Sequence, residues 1–196
     1  MTVEKAIRFL AFIAVLGGVA RGVMTPLALI LGTDSIPELY AGIAGSMLLT
    51  IGTVGVYLFQ AASVGRIGLI AFTILTIGNL FTTVLVSMSM YDAVTGRSSD
   101  SMPPAPFDTM IMLNMIFLFI GFLAFGIVSM RAKKLPIWAS IMLLASPITL
   151  FIPGIEDWSA ALWGLSYVGF GLKAMSVEAV KPVLHGGTTG LSAAND

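Results

Sequence analysis

The chain has no cysteine and a single histidine, His185. The first absence removes disulfides, thiolate metal centres, iron–sulfur clusters, covalent haem attachment and cysteine nucleophiles together. The second leaves no histidine in any apolar run to ligate zinc or haem or to relay a proton, because His185 lies in a polar stretch. Charge is scarce as well: 10% of residues are Asp, Glu, Lys or Arg, against roughly a quarter in ordinary soluble domains. The sequence also lacks the zinc-protease His-Glu-x-x-His, the Gly-x-Gly-Asp of intramembrane aspartyl proteases, a phosphate-binding Gly-Lys-Thr loop and a Ser–His pair in its apolar segments. Hydrolytic and nucleotide-driven chemistry therefore have no visible machinery. A non-enzymatic protein without cofactor or resident metal is expected, and a net charge of zero gives no pull toward nucleic acid.

What the chain has is apolar sequence, 57% of it hydrophobic. A water-soluble core of this size cannot hide that much, so lipid must serve as solvent for much of the surface. The expected fold is an all-α integral membrane protein, a six-transmembrane-helix bundle over 1–175. The predicted helices span about 6–25, 39–61, 67–90, 109–130, 136–152 and 158–175, with a loop over 91–108 and a polar tail over 176–196. Lys5 and Arg8 before an apolar run resemble a signal peptide, but the run continues past Ala20 and reads as a retained first helix. Thr25-Pro26 is expected to break it, leaving 22–33 as an interfacial or re-entrant piece.

The cations sort by position. Six alternating crossings put Lys5, Arg8, Arg66, Arg131, Lys133, Lys134, Lys173 and Lys181 on one side. Arg21 and Arg97 fall on the other, beside Asp34, Glu38, Asp92, Asp100, Asp108, Glu156 and Asp157. Basic residues stay in the cytoplasm, so both termini are expected there, in a bacterial plasma (inner) membrane. A faint repeat relates the second and third segments to the fourth and fifth. Gly52 corresponds to Gly121 and Leu80-Phe81 to Leu150-Phe151, which would make two parallel hairpins.

Few residues in the apolar runs carry polar chemistry. Thr73, Thr76, Asn79, Thr83 and Ser87 recur at spacings of three or four and should form one stripe on the third segment. Asn114, on the fourth, lies at nearly the depth of Asn79, so a direct or water-bridged bond between the two amides is expected. Such a bond either ties helices together or helps line a wet path. Arg21 is expected at the interface as a snorkelling anchor, or as a partner of Asp34 or Glu38. Asp108, Glu156 and Asp157 form an acidic rim, read chiefly as helix caps. Met88, Met90, Met110, Met112 and Met115 bracket the 91–108 loop, with Met102 inside it. Soft thioethers suit Cu(I), though methionine is more often a packing residue.

Two functions fit these features. Small residues Ala41, Gly45, Gly52 and Gly55 on the second segment suit close helix approach. They suggest a subunit or accessory protein that associates laterally with other membrane chains, homo- or hetero-oligomeric. The alternative is a small transporter or channel for a neutral or weakly polar solute, with the threonine stripe lining its path. An enzyme acting on lipid through the acidic rim is the remotest reading.

Overall fold

The computed structural model describes residues 2–96 and 106–176. Arg97, Asp100, Met102 and most of the 91–108 loop lie outside the described residues, as do Lys181, His185 and nearly all of the 176–196 tail. The described chain forms five helices and no strand: α1 (Val3–Leu31), α2 (Ile36–Thr95), α3 (Phe107–Ala132), α4 (Ile137–Thr149) and α5 (Trp158–Met175). Three of them, α1, α2 and α3, are long and apolar enough to cross a membrane.

Helix α1 starts where Thr2 accepts the backbone N–H of Lys5 through its side chain. It does not stop at Thr25-Pro26, and the expected interfacial piece is instead the last turns of the helix. Proline removes one backbone donor, a local penalty that tertiary contacts can override. Here the hydroxyl of Thr25 donates to the Asp157 carbonyl at 2.6 Å and accepts the Ala161 N–H at 3.1 Å. The residue before the proline is thereby pinned to the first turn of α5. Gly32, at φ 90°, ends α1 in a conformation that side chains avoid.

Helix α2 is 60 residues long but is not straight. At Gly65 the backbone turns to φ 56°, ψ −148°, and the chain doubles back. The rings of Tyr57 and Phe72 stack with centroids 4.7 Å apart. In one straight helix they would be about 22 Å apart at 1.5 Å per residue. Asn79 likewise reaches back to Thr53. The element is a hairpin of two helical arms, 36–64 and 66–95, matching the second and third predicted segments. The remaining differences are at the ends. Pro136 caps α4 rather than starting it, and α4 ends at Thr149, short of the expected 152.

The elements pack through small residues. A Cβ at Gly52 would collide with the backbone of Ala14 in α1, and one at Gly121 would sit 2.8 Å from the Leu75 Cα in the second arm of α2. Both glycines matched by the faint repeat thus receive the segment that precedes them in the chain. Where α1 meets α5, Gly18 and Gly164 face each other with no room for a side chain on either. The core between these contacts holds Leu49, Val56, Leu75, Phe122, Phe125, Leu143, Tyr167 and Phe170. Large apolar side chains such as Phe9, Leu29, Ile67, Phe119 and Phe151 remain on the outside.

The close contacts make a paired prediction. Gly52→Ala inserts a methyl group into the Ala14 backbone and should destabilise the protein by about 1–3 kcal/mol, the usual cost of overpacking. Gly22→Ala meets nothing within 4 Å and should be neutral or slightly stabilising. Thermal unfolding in detergent separates the two, and equal midpoints would contradict this packing.

Candidate functional site

Helix α4 has 13 residues, about half the 26 of α3. At 1.5 Å per residue it reaches only about 20 Å. Past its end the chain runs through the 150–157 turns, so among the described residues no helix fills the space between α3 and α5 near the 32–35 and 153–157 turns, the acidic end of the bundle. A cavity of about 630 Å³ occupies that gap. Its walls are mainly apolar. Met115, Phe119, Leu150 and Phe151 both line it and lie 41–69% exposed, so its mouth opens sideways between α3 and the end of α4.

The polar residues of the cavity come from four elements and the turn before α5. Arg21, on α1, sits with its guanidinium carbon 4.3 Å from the centre of the Trp163 ring, a cation–π contact. Its Nε and Nη1 are buried and have no hydrogen-bond partner. The indole Nε1 of Trp163 is also buried and unpartnered, and Trp163 is held edge-on to Phe122 at 5.0 Å. Glu38, in the first turn of α2, is buried and accepts the Asp34 N–H at 2.8 Å. Asp157 and Glu156 stand before α5 and line the same space. Asn114, on α3, donates to the Gly78 carbonyl at 3.0 Å and to Thr82 Oγ1 at 2.8 Å, fixing the wall between α3 and the second arm of α2.

The structure redistributes the residues singled out from sequence. Arg21 is half-buried and lines the cavity together with Glu38, one of the two acids expected as its partner. Gly45 admits the Arg21 backbone, with its Cβ position 2.9 Å from the Arg21 nitrogen, and Trp163 covers the guanidinium. The threonine stripe does not face the interior. Thr73 is exposed, Thr76 and Thr83 are half-buried, and their hydroxyls donate to the carbonyls of Leu69, Phe72 and Asn79 one turn earlier. Asn79 is fully buried and donates to Thr53 Oγ1 at 3.4 Å, beside the Tyr167 hydroxyl that lies 2.8 Å from the same oxygen. Asn79 and Asn114 do not bond each other. They do sit at one level, since Asn114 grips the carbonyl of Gly78.

The acidic rim is only partly assembled. Asp108 bonds the N–H of its neighbour Thr109 at 2.6 Å on the exposed start of α3 and does not line the cavity. Glu38 takes its place beside Glu156 and Asp157. Asp157 occupies the N-cap of α5 but makes no side-chain capping bond; Thr25 performs that role from α1. Of the five methionines, Met88, Met90 and Met110 are half-buried, Met112 and Met115 exposed, and only Met115 borders the cavity. Thr25 and Trp163 were not anticipated. The one sequence signal toward them was Arg21, a charge inside an apolar run, which marks a site by default.

No family model, no curated protein and no solved structure matches this chain.

The cap supplied by Thr25 is testable. Thr25→Val keeps the shape but strips the hydroxyl, and should cost about 1–2 kcal/mol, the range of a lost N-cap. Thr25→Ser should retain most of the stability. Thermal unfolding in detergent reads both, and a Thr25→Val midpoint equal to wild type would contradict the bridge.

Proposed function

We propose that the protein is a non-enzymatic membrane protein that takes an amphiphilic solute from the lipid into the cavity beside Arg21, as a carrier or binding protein. The observation that carries this reading is the cavity itself: about 630 Å³, apolar at its mouth and polar at its floor, with exposed hydrophobic side chains at its edge. Pockets of this size with a few convergent polar groups are the usual form of a small-molecule site. The transport alternative drawn from sequence is kept, but its path moves from the threonine stripe to this cavity. Lateral association with other chains has less support, because Gly45, Gly52 and Gly55 are already filled by α1.

In this reading the two arms of α2 cross separately, giving six crossings with both termini in the cytoplasm of a bacterial inner membrane. The doubling back at Gly65 and the sorting of the cations support it. The chain's freedom from cysteine makes the topology simple to test, since single cysteines can be introduced without background. Lys134→Cys and Ile155→Cys should react with impermeant reagents from opposite sides. Labelling from the same side would overturn the crossing pattern.

Binding is tested by displacement of an environment-sensitive amphiphilic dye from the purified protein. Saturable displacement at one site is expected. Ala160→Trp, which fills the cavity from α5, should abolish it while leaving the unfolding midpoint near wild type. Partition that never saturates, or that is indifferent to Ala160→Trp, would contradict the reading.

A further inference from the structure

The cavity carries charges of both signs. At the acidic end stand Glu38 in the first turn of α2, Glu156 in the turn before α5, and Asp157 at its N-cap. Deeper lies the guanidinium of Arg21 over Trp163, a residue about 7.5 Å along α5 from its start at 1.5 Å per residue. To the side, the walls are Met115, Phe119 and Phe151 and open to the outside.

Three buried N–H-bearing atoms on two of the lining residues have no acceptor: Nε and Nη1 of Arg21, and Nε1 of Trp163. Buried donors are almost always satisfied, and an unsatisfied set that includes a charged group is expensive to maintain. The carboxylates are not the missing acceptors, since none of them bonds Arg21 Nε or Nη1. An acidic group on a ligand would supply what these donors lack. Yet the cavity holds three carboxylates and one guanidinium, one minus three giving a formal charge of −2. A simple anion would be seated against that excess. A simple cation would leave the donors unmatched and would be repelled by Arg21.

We infer that the cavity binds a zwitterionic amphiphile of the ethanolamine-phosphate type. Its phosphate accepts from Arg21 and Trp163, its primary ammonium faces Glu38, Glu156 and Asp157, and its acyl chains leave through the mouth beside Phe119 and Phe151. Such a lipid carries chains, a phosphate and an ammonium, and the cavity offers a counterpart to each: an apolar mouth, unpaired donors and carboxylates. Charge-assisted hydrogen bonds from a guanidinium to phosphate are among the strongest available. A primary ammonium also offers three donors to the carboxylates, where a quaternary one offers none. This assignment rests on the proposed binding function and names the chemistry of the same site.

The test uses Trp163 as its own reporter, in full-length protein whose other tryptophans are replaced by Trp138→Phe and Trp158→Phe. Lipids with brominated acyl chains and ethanolamine, choline or glycerol headgroups are titrated in neutral detergent, and quenching of Trp163 is read. The ethanolamine lipid should quench saturably and the other two only weakly. Arg21→Gln should weaken that binding about tenfold, the loss of one charge-assisted hydrogen bond. The double variant Glu156→Gln, Asp157→Asn should bind but lose the preference for ethanolamine over glycerol headgroups, so the assignment stays testable if Arg21→Gln fails to fold. Equal saturable quenching by all three headgroups would overturn the zwitterion and leave the cavity reading standing, as would tighter binding of the glycerol lipid. Quenching that never saturates for any lipid would overturn both.

Discussion

The interaction on which the rest depends is the contact between the Arg21 guanidinium and the Trp163 ring. Removing a charged group from water costs several kcal/mol even after relaxation. A desolvated cation–π contact returns about 2 kcal/mol. The difference is carried by packing: α1 lies so close to α2 and α5 at Gly45, Gly18 and Gly164 that the Arg21 backbone cannot shift outward. Helix packing fixes where the charge goes, and the charge in turn defines what the neighbouring space can hold.

The same economy of small residues explains the close packing of α1 against α2 and α5 at Gly52, Gly18 and Gly164. Several polar groups inside the bundle pair within the chain: Gln60 Nε2 with Ser129, Asn114 with Thr82 and Gly78, and Thr53 with Tyr167. Each joins two elements and leaves little to line a path. The wall lapses where α4 ends at Thr149, and Pro147 helps end the helix by removing a donor from the last turn. The cavity, its apolar mouth and the carboxylates of the 153–157 turn all follow from that one short helix.

Much of this was legible in the sequence because it rests on patterns that act locally. Apolar runs pointed to an all-helical chain, and Gly65 lay in the turn expected between the second and third segments. Pro26 misled because a tertiary hydrogen bond from Thr25, far away in sequence, outweighs the local break. The threonine stripe misled for a different reason: its hydroxyls donate to the backbone carbonyls one turn earlier, which the helix ladder already uses, so their spacing says nothing about a cavity. The setting of Arg21 was not readable, since it depends on which glycines of α2 and α5 meet α1.

The most direct measurement compares Arg21→Met with wild type in two states, stripped of lipid and reconstituted into native lipid. If Nε and Nη1 of the guanidinium have no acceptor from their own chain, removing the charge should raise the unfolding midpoint of the stripped protein and lower it, relative to wild type, in lipid. A midpoint that falls equally in both states would mean that the protein itself satisfies those donors, and would contradict the account.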